Sequence, residues 1–183
     1  MKIAVVGRGN VGGGLAGLWE KAGHDIVARV GKEGGDVSDA DVVLVAVPGG
    51  AIAHALDNVQ GIAGKTVIDA TNLVGAEPPS GFDSNAEFLK SKTNGPTAKS
   101  FNLNFANQYG KLRDAKSRPS NLWAGDEEAR GVVEQLNRDA GYEPVRAGGL
   151  DSAATHEHGV GLFFAITQAN GPFVYRIAPP EQL

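Results

Sequence analysis

The sequence predicts an α/β protein with a doubly wound, mainly parallel sheet and a short C-terminal helical extension. Three observations support this class. An apolar opening segment leads directly into a glycine motif at residues 7–12. Strand-like and helical segments then alternate through short turns, which is typical of a parallel sheet covered by helices on both faces. Glycine is also frequent, at 26 of 183 residues, as many strand-to-helix turns require.

Residues 7–12 read Gly-Arg-Gly-Asn-Val-Gly, the spacing of a Rossmann-like dinucleotide site. The first glycine permits a tight turn, the second lets the backbone approach a pyrophosphate, and the third lets helix and strand pack together. Unpaired N–H groups and the positive end of the helix dipole would then hold the phosphates. The motif assigns these cofactor-binding candidates: Gly7, Arg8, Gly9, Asn10, Val11 and Gly12.

The first strand is predicted at residues 2–6, where apolar residues precede the glycine motif. The first helix is predicted at 10–22 and ends before Gly23, since glycine commonly follows the last helical turn. A second strand follows at 25–29. The segment 31–36 contains three glycines and mixed charges, which predicts a loop.

Residues 41–47 form a near-continuous apolar run, which is typical of a parallel strand buried on both faces. Pro48 ends this strand, because proline cannot donate to a sheet ladder. A short helix at 52–59 and another buried strand at 65–69 continue the alternation. Glycines and prolines then predict an ordered loop at 73–83.

The second half of the chain repeats the alternation. In order, the predicted elements are a helix at 85–92, strands at 97–101 and 121–124, a helix at 126–139, a strand at 142–146 and a helix at 151–169. Asp126 is the candidate cap of its helix, with acidic residues in the first turn. We therefore expect a dinucleotide-binding domain at 1–150. The extension at 151–183 would line a substrate pocket or a dimer contact.

Composition excludes several classes of function. The net charge of −4, without a basic stripe, argues against a nucleic-acid partner. No cysteine is present, and His156 and His158 are two residues apart, which points them to different faces of a helix, so we expect no metal site. His24 and His54 are interpreted as structural. With neither a signal peptide nor a membrane-spanning run, the expected compartment is the cytoplasm.

The tip of the second strand favours NADP over NAD. NAD sites place a carboxylate about 20 residues beyond the glycines, where it accepts from the ribose 2′-hydroxyl. Here the tip carries no acid, and Arg29 and Lys32 would attract a 2′-phosphate, with Arg8 approaching from the glycine motif. NAD remains an alternative cofactor if the loop folds back and brings the carboxylate of Glu33 to the strand tip.

Short motifs are distributed over most of the chain: residues 7–12 (GRGNVG), 22–27 (AGHDIV), 46–48 (AVP), 67–72 (VIDATN), 84–87 (SNAE), 98–102 (AKSFN), 124–127 (AGDE), 139–148 (DAGYEPVRAG) and 149–150 (GL). In this order the chain resembles the coenzyme F420-dependent NADP oxidoreductases, in which NADPH reduces a deazaflavin. The resemblance implies a Rossmann domain with a small helical extension, NADP as cofactor, coenzyme F420 as co-substrate and a homodimer. The chain departs from the family at Leu73 and Gly149, where proline is usual, and at Val30-Gly31, which replaces a Ser-Arg pair.

Hydride transfer requires positioning in a pocket that excludes water and needs no protein nucleophile, so no catalytic residue is assigned. In an open α/β sheet the ligand lies beyond the carboxyl ends of the strands. The candidates there are Ala46, Val47, Pro48 and Asn72 for the cofactor, and Asn72, Asn102 and His156 for the substrate pocket.

Two other functions stay open. The chain could be an NADPH-dependent reductase of another small molecule, such as an imine or a carbonyl compound. It could also be a non-catalytic NADP-binding redox sensor. The basic segment 111–118 is either a solvated loop or a dock for the acidic tail of the deazaflavin.

Overall fold

The computed structural model describes residues 1–182, apart from the side chains of residues 113, 114 and 182. Its strands are β1 (Lys2–Val6), β2 (Asp25–Val30), β3 (Gly35–Asp36), β4 (Val42–Val45), β5 (Val59–Gln60), β6 (Thr66–Asp69), β7 (Thr97–Ser100), β8 (Ser120–Gly125) and β9 (Glu143–Arg146). Its α-helices are α1 (Asn10–Lys21), α2 (Ile52–Asp57), α3 (Asn85–Thr93), α4 (Arg130–Asp139) and α5 (Ala153–Asn170). The predicted alternation is confirmed, with boundaries that differ by a few residues.

Within the described residues, seven strands form one sheet in the order β2-β1-β4-β6-β7-β8-β9. The first five are parallel, which confirms the α/β class with a mainly parallel sheet. The one antiparallel pairing among the described strands of this sheet is that of β8 with β7, and β9 is again parallel to β8, so the sheet is mainly parallel, as predicted. The connection from β7 contains a 3₁₀ helix (Ala106–Asp114) in place of a crossover α-helix, so the chain re-enters the sheet from the same end.

Alternate residues of β1 point to opposite faces of the sheet and so divide the core into two layers. Ile3 and Val5 lie in the layer that contains α1 and α4, where Trp19 is fully buried. Ala4 and Val6 lie in the layer that contains α2 and α3. The segment 31–36, predicted as a loop, also contributes β3, which pairs with β5 outside the main sheet.

The start of the helix at 126–139 differs from the prediction. A 3₁₀ turn (Glu127–Ala129) precedes α4, and Asp126 makes no capping hydrogen bond. Its carboxylate accepts instead from the backbone N–H of Thr97 at 2.9 Å and from Lys90 Nζ at 2.7 Å. Both donors bind Oδ2, so Asp126 joins α3 and β7 to the turn that precedes α4.

The C-terminal extension begins with a 3₁₀ turn (Leu150–Ser152) and continues as α5, which contacts α3, β7 and β8. After α5 the chain returns to the start of β8, where Ser120 N–H donates to the Tyr175 carbonyl at 2.8 Å. The division of the chain at residue 150 stays a prediction. None of the helices in residues 1–182 combines the length and apolar character needed to cross a membrane.

Candidate functional site

The glycine motif forms the turn between β1 and α1, and its three glycines have different surroundings. Gly7 has a φ of +107°, and a Cβ there would overlap the carbonyl oxygen of Ala46. A Cβ at Gly12 would overlap the carbonyl oxygen of Gly7. At Gly9, by contrast, a Cβ would meet nothing within 4 Å. Glycine is therefore required at positions 7 and 12 by the packing of the fold itself, whereas at Gly9 it leaves open space beside the loop.

The start of α1 fits a pyrophosphate. Gly9 is the residue that precedes the helix, no side chain caps it, and the first turn contains no acidic residue. The first N–H groups of a helix lack intrahelical partners and carry the positive end of its dipole. Because a side chain is absent at Gly9, a phosphate group can approach these N–H groups closely.

Three adjoining cavities form one groove at the carboxyl ends of β1, β4, β6 and β7. The loop cavity, about 670 Å³, lies between residues 7–9, residues 31–32 and α2. The middle cavity, about 330 Å³, shares residues 46–48 with the loop cavity. The aromatic cavity, about 180 Å³, shares Val11 and Asn72 with the middle cavity. A dinucleotide is long enough to require such a continuous groove.

Most of the predicted site residues lie together in this groove. Those that line it are Gly7, Arg8, Gly9, Val11, Lys32, Ala46, Val47, Pro48, Asn72 and Asn102. Asn10 and Gly12 belong to the first turn of α1. The residues that line the three cavities include none from the basic segment 111–118, whose Arg113 side chain lies outside the described residues.

The structure does not bring Arg29 to the groove. Arg29 is in register with Val5, whose side chain packs in the layer beneath α1. Its Nη2 donates to Glu20 Oε1 on α1 at 2.7 Å. The side chain therefore lies on the face of β2 that is turned toward α1, and Lys32 and Arg8 are the predicted cations that remain at the loop cavity.

Two further features belong to the loop cavity, and the first is the folded-back loop of Glu33 that the sequence analysis left open. Arg8 Nη2 donates to both carboxylate oxygens of Glu33, at 2.6 and 2.8 Å, because the turn at 31–34 folds back toward the glycine motif. His54 of α2, interpreted from the sequence as structural, is exposed and lines the cavity. Its position follows from the turn after Pro48, which directs α2 along the groove.

Asn72 and Asn102 meet at the junction of the middle and aromatic cavities. Asn72 Nδ2 donates to the Asn102 carbonyl at 2.8 Å, and Asn102 Nδ2 donates to Asn72 Oδ1 at 2.9 Å. Asn102 Oδ1 is buried and has no partner among the described residues, so it is available to a ligand N–H group. Phe101, with a φ of +66°, makes the turn that directs Asn102 to this position. A positive φ is uncommon for a bulky residue, and such strain often marks a functional site.

The aromatic cavity is closed by α5. Its walls include Phe163 and Phe164 of α5, opposite Phe105 of the connection after β7. The Phe105 and Phe164 ring centroids are 6.0 Å apart. Both helix phenylalanines lie in the helix predicted at 151–169, and neither was assigned to a site from the sequence. Flat apolar walls fit a planar ring and exclude water.

A buried ionic cluster lies beneath the groove. Asp69 and Lys99 are register partners on β6 and β7, and Lys99 Nζ contacts Asp69 Oδ2 at 2.9 Å and Glu157 Oε1 of α5 at 2.6 Å. The three side chains are at most 1 % exposed. Burial raises the pKa of Glu157, and the charge of Lys99 opposes this rise. The cluster joins α5 to the sheet and so positions the wall of the aromatic cavity.

His156 precedes Glu157 and is 4 % exposed, and it lines none of the three cavities formed by the described residues. Both ring nitrogens lack a hydrogen-bond partner among those residues. Burial, with a further contribution from the charge of Lys99, lowers the pKa of His156 to about 4. The imidazole is therefore neutral near pH 7. In residues 1–182 no group of three His, Asp or Glu side chains is arranged to hold a metal ion.

We expect His156 to make the protein less stable as the pH falls from 6.5 toward 4. The unfolded chain takes up a proton near pH 6.5, whereas the native state holds His156 neutral to about pH 4. This difference is worth at most about 3 kcal/mol, and the raised pKa of Glu157 opposes it. The slope of melting temperature against pH should flatten in His156→Gln but not in His158→Gln, a matched change at an exposed position. Equal slopes in both variants and the wild type would refute the assignment.

Comparison with known proteins identifies similar folds. None of the family models and none of the curated sequences compared with the chain matches it. A solved structure from Arthrobacter sp. FB24, provisionally assigned as an F420-dependent NADP reductase, aligns with a TM-score of 0.80 and 21 % identity over 98 % of this chain and 100 % of that chain. The resemblance of the sequence is thus matched at the level of the fold.

Two larger enzymes are also similar. A reductive aminase from Aspergillus terreus, in complex with NADPH and ethyl levulinate, aligns with a TM-score of 0.60 and 18 % identity over 92 % of this chain and 64 % of that chain. The 3-hydroxyisobutyrate dehydrogenase of Mycobacterium tuberculosis aligns with a TM-score of 0.60 and 15 % identity, over 94 % of this chain and 72 % of that chain. At these identities the similarity establishes the fold.

Proposed function

We propose that this protein is an NADP(H)-dependent oxidoreductase that transfers hydride between NADPH and a deazaflavin of the coenzyme F420 type or a similar acceptor. One observation carries the proposal: a continuous groove runs from Lys32 at the tip of β2, past the open side of Gly9, to the aromatic wall of α5. The loop cavity beside Gly9 would take the adenosine and the pyrophosphate, the middle cavity the nicotinamide ribose, and the aromatic cavity the reacting rings.

The residues of the groove have separate roles in this proposal. The N–H groups at the start of α1 bind the pyrophosphate. Val47 and Pro48 form the wall beside the nicotinamide ribose, and the hydrogen-bonded pair Asn72–Asn102 orients the rings through Asn102 Oδ1. When bound, the reduced nicotinamide supplies the hydride. The phenylalanines of α5 hold the acceptor and exclude water, which favours close approach of the two rings.

Two of the compared structures support this proposal. The Arthrobacter protein, which is aligned over its whole length, is provisionally assigned as an F420-dependent NADP reductase, and the Aspergillus aminase is solved with NADPH. An imine or carbonyl acceptor is the alternative that the aminase fold suggests. The cytoplasmic location expected from the sequence stays a prediction.

Absorbance distinguishes the candidate functions. The purified protein, mixed with NADPH and oxidised deazaflavin, should bleach the visible deazaflavin band as NADPH is consumed. If NADPH is consumed only with imines or carbonyl compounds, the protein is still an oxidoreductase, but its acceptor is not a deazaflavin. Nucleotide binding without turnover of any acceptor would instead support a redox sensor.

We further propose that α5 forms a homodimer contact. Residues 159–175 contain no charged side chain. Leu162 of α5 remains 64 % exposed, and Ala165 and Ala169, which share its face of the helix, are exposed as well, so an apolar strip faces outward. A second copy of the same uncharged surface would cover it without placing like charges together.

Replacing Leu162 by lysine is expected to convert the dimer to monomers, because the contact would then bury an unpaired charge. Light scattering after size-exclusion chromatography measures the mass. Ala63→Lys, at an exposed turn on the amino-terminal side of the sheet, is the control and should remain dimeric. A monomeric wild type, or a dimer that survives Leu162→Lys, would contradict the proposed contact.

A further inference from the structure

An ion pair crosses one end of the loop cavity. Arg8 comes from the glycine motif and Glu33 from the turn at 31–34, and Arg8 Nη2 donates to both Glu33 oxygens. The pair passes over Gly31, where a Cβ would overlap Arg8 Nη2 and lie 2.6 Å from Glu33 Oε2. The absence of a side chain at Gly31 therefore allows the two charged groups to meet.

This pair lies where a Rossmann fold reads the adenosine ribose. The end of the second strand determines whether a 2′-hydroxyl or a 2′-phosphate is bound. Lys32 lines the cavity at this position, while Arg29 is engaged by Glu20 on the other face of β2. Arg8 is thus the second cation available to a 2′-phosphate, but it is already paired with the carboxylate of Glu33.

We propose that Glu33 sets the nucleotide selectivity of the site. Its carboxylate accepts from the 2′-hydroxyl of NADH, and it must leave Arg8 when the 2′-phosphate of NADPH binds. The exchange is accessible because both side chains are more than half exposed, at 53 % for Arg8 and 58 % for Glu33, and such pairs are weak. Guanidinium groups also bind phosphate oxygens in paired geometry. This inference rests on the proposed function, since it assumes that adenine dinucleotides occupy the groove.

The test compares Glu33→Gln with the wild type by calorimetric titration of NADPH and NADH, without any acceptor. Neutral glutamine frees Arg8 and removes repulsion of the 2′-phosphate, so the Kd of NADPH should fall about tenfold. The Kd of NADH should rise about threefold, because a charged acceptor of the 2′-hydroxyl is lost. Glu33 is exposed, so both proteins should melt at the same temperature.

Glu20→Gln is the matched control, because it breaks the equivalent pair with Arg29 outside the groove. Both Kd values should stay at their wild-type levels. If Glu20→Gln tightens NADPH binding as much as Glu33→Gln, the 2′-phosphate is bound by Arg29 and the inference is overturned. An unchanged NADPH-to-NADH ratio in Glu33→Gln overturns the inference alone, whereas a wild type that binds neither nucleotide overturns the proposed function as well.

Discussion

Replacing Gly9 by alanine is expected to weaken NADPH binding by about 10- to 100-fold, which corresponds to one lost charge-assisted hydrogen bond of roughly 1.5–3 kcal/mol. The methyl group would occupy the space through which a phosphate reaches the start of α1. The folded protein should tolerate it, because Gly9 has a φ of −75° and a Cβ there meets no atom within 4 Å. The melting temperature should change by less than about 3 °C.

Gly17→Ala is the control for this change. Gly17 lies within α1, and a Cβ there also meets nothing within 4 Å. Alanine favours the helix by up to about 1 kcal/mol, so the variant should be slightly more stable and should bind NADPH as the wild type does. Titration calorimetry and thermal melts measure both quantities. If Gly9→Ala keeps the wild-type Kd, the pyrophosphate does not lie beside Gly9.

Replacing Lys99 by methionine is expected to destabilise the protein by about 3–5 kcal/mol, because the two buried carboxylates of Asp69 and Glu157 would lose their cation. For a chain of this size the melting temperature should fall by roughly 6–20 °C. The loss should also reach the site, since Lys99 joins α5 to the sheet. We therefore expect weaker acceptor binding at temperatures where the variant is still folded.

Glu157→Gln tests the same cluster from its other side. The amide oxygen still accepts from Lys99, and burial, which raises the pKa of Glu157, already disfavours its charged form. The expected cost is about 1 kcal/mol, for one buried N–H group that lacks a partner. Denaturant melts compare the variants. A Lys99→Met protein as stable as the wild type, or a Glu157→Gln protein that is equally damaged, would contradict the role of the cluster.

Local patterns in the sequence were sufficient for much of the fold. The apolar run that contains β4 predicted a buried parallel strand, and β4 lies in the interior of the sheet. The spacing of Gly7, Gly9 and Gly12 predicted three distinct backbone demands, two of which are visible as overlaps that a Cβ would create. These features depend on residues close together in the chain, where periodicity and turn chemistry act directly.

Features that depend on distant partners could not be predicted. The direction of β8 follows from the connection after β7, whose 3₁₀ helix has no clear periodic signal. Lys99 meets Asp69 and Glu157 only because the register of β6 with β7 and the packing of α5 bring them together. The one available signal was a lysine inside a strand that is otherwise buried, since such a charge needs a partner.

The same distinction between local patterns and distant contacts applies to the candidate site. Residues at strand ends, such as Pro48, Asn72 and Asn102, were predicted because parallel strands place their carboxyl ends at one edge. Arg29 was not correctly placed relative to the groove, since its side chain follows the alternation of β2 toward Glu20 on α1. Roles for all of these residues in binding stay predictions.

Titration of the wild-type protein with NADPH tests the central claim most directly. The account predicts one binding site per chain with a Kd in the micromolar range, and displacement of NADPH by NADH at higher concentration. Heat signals that remain absent for both nucleotides at millimolar concentration would contradict it, because the groove beside Gly9 would then serve another ligand.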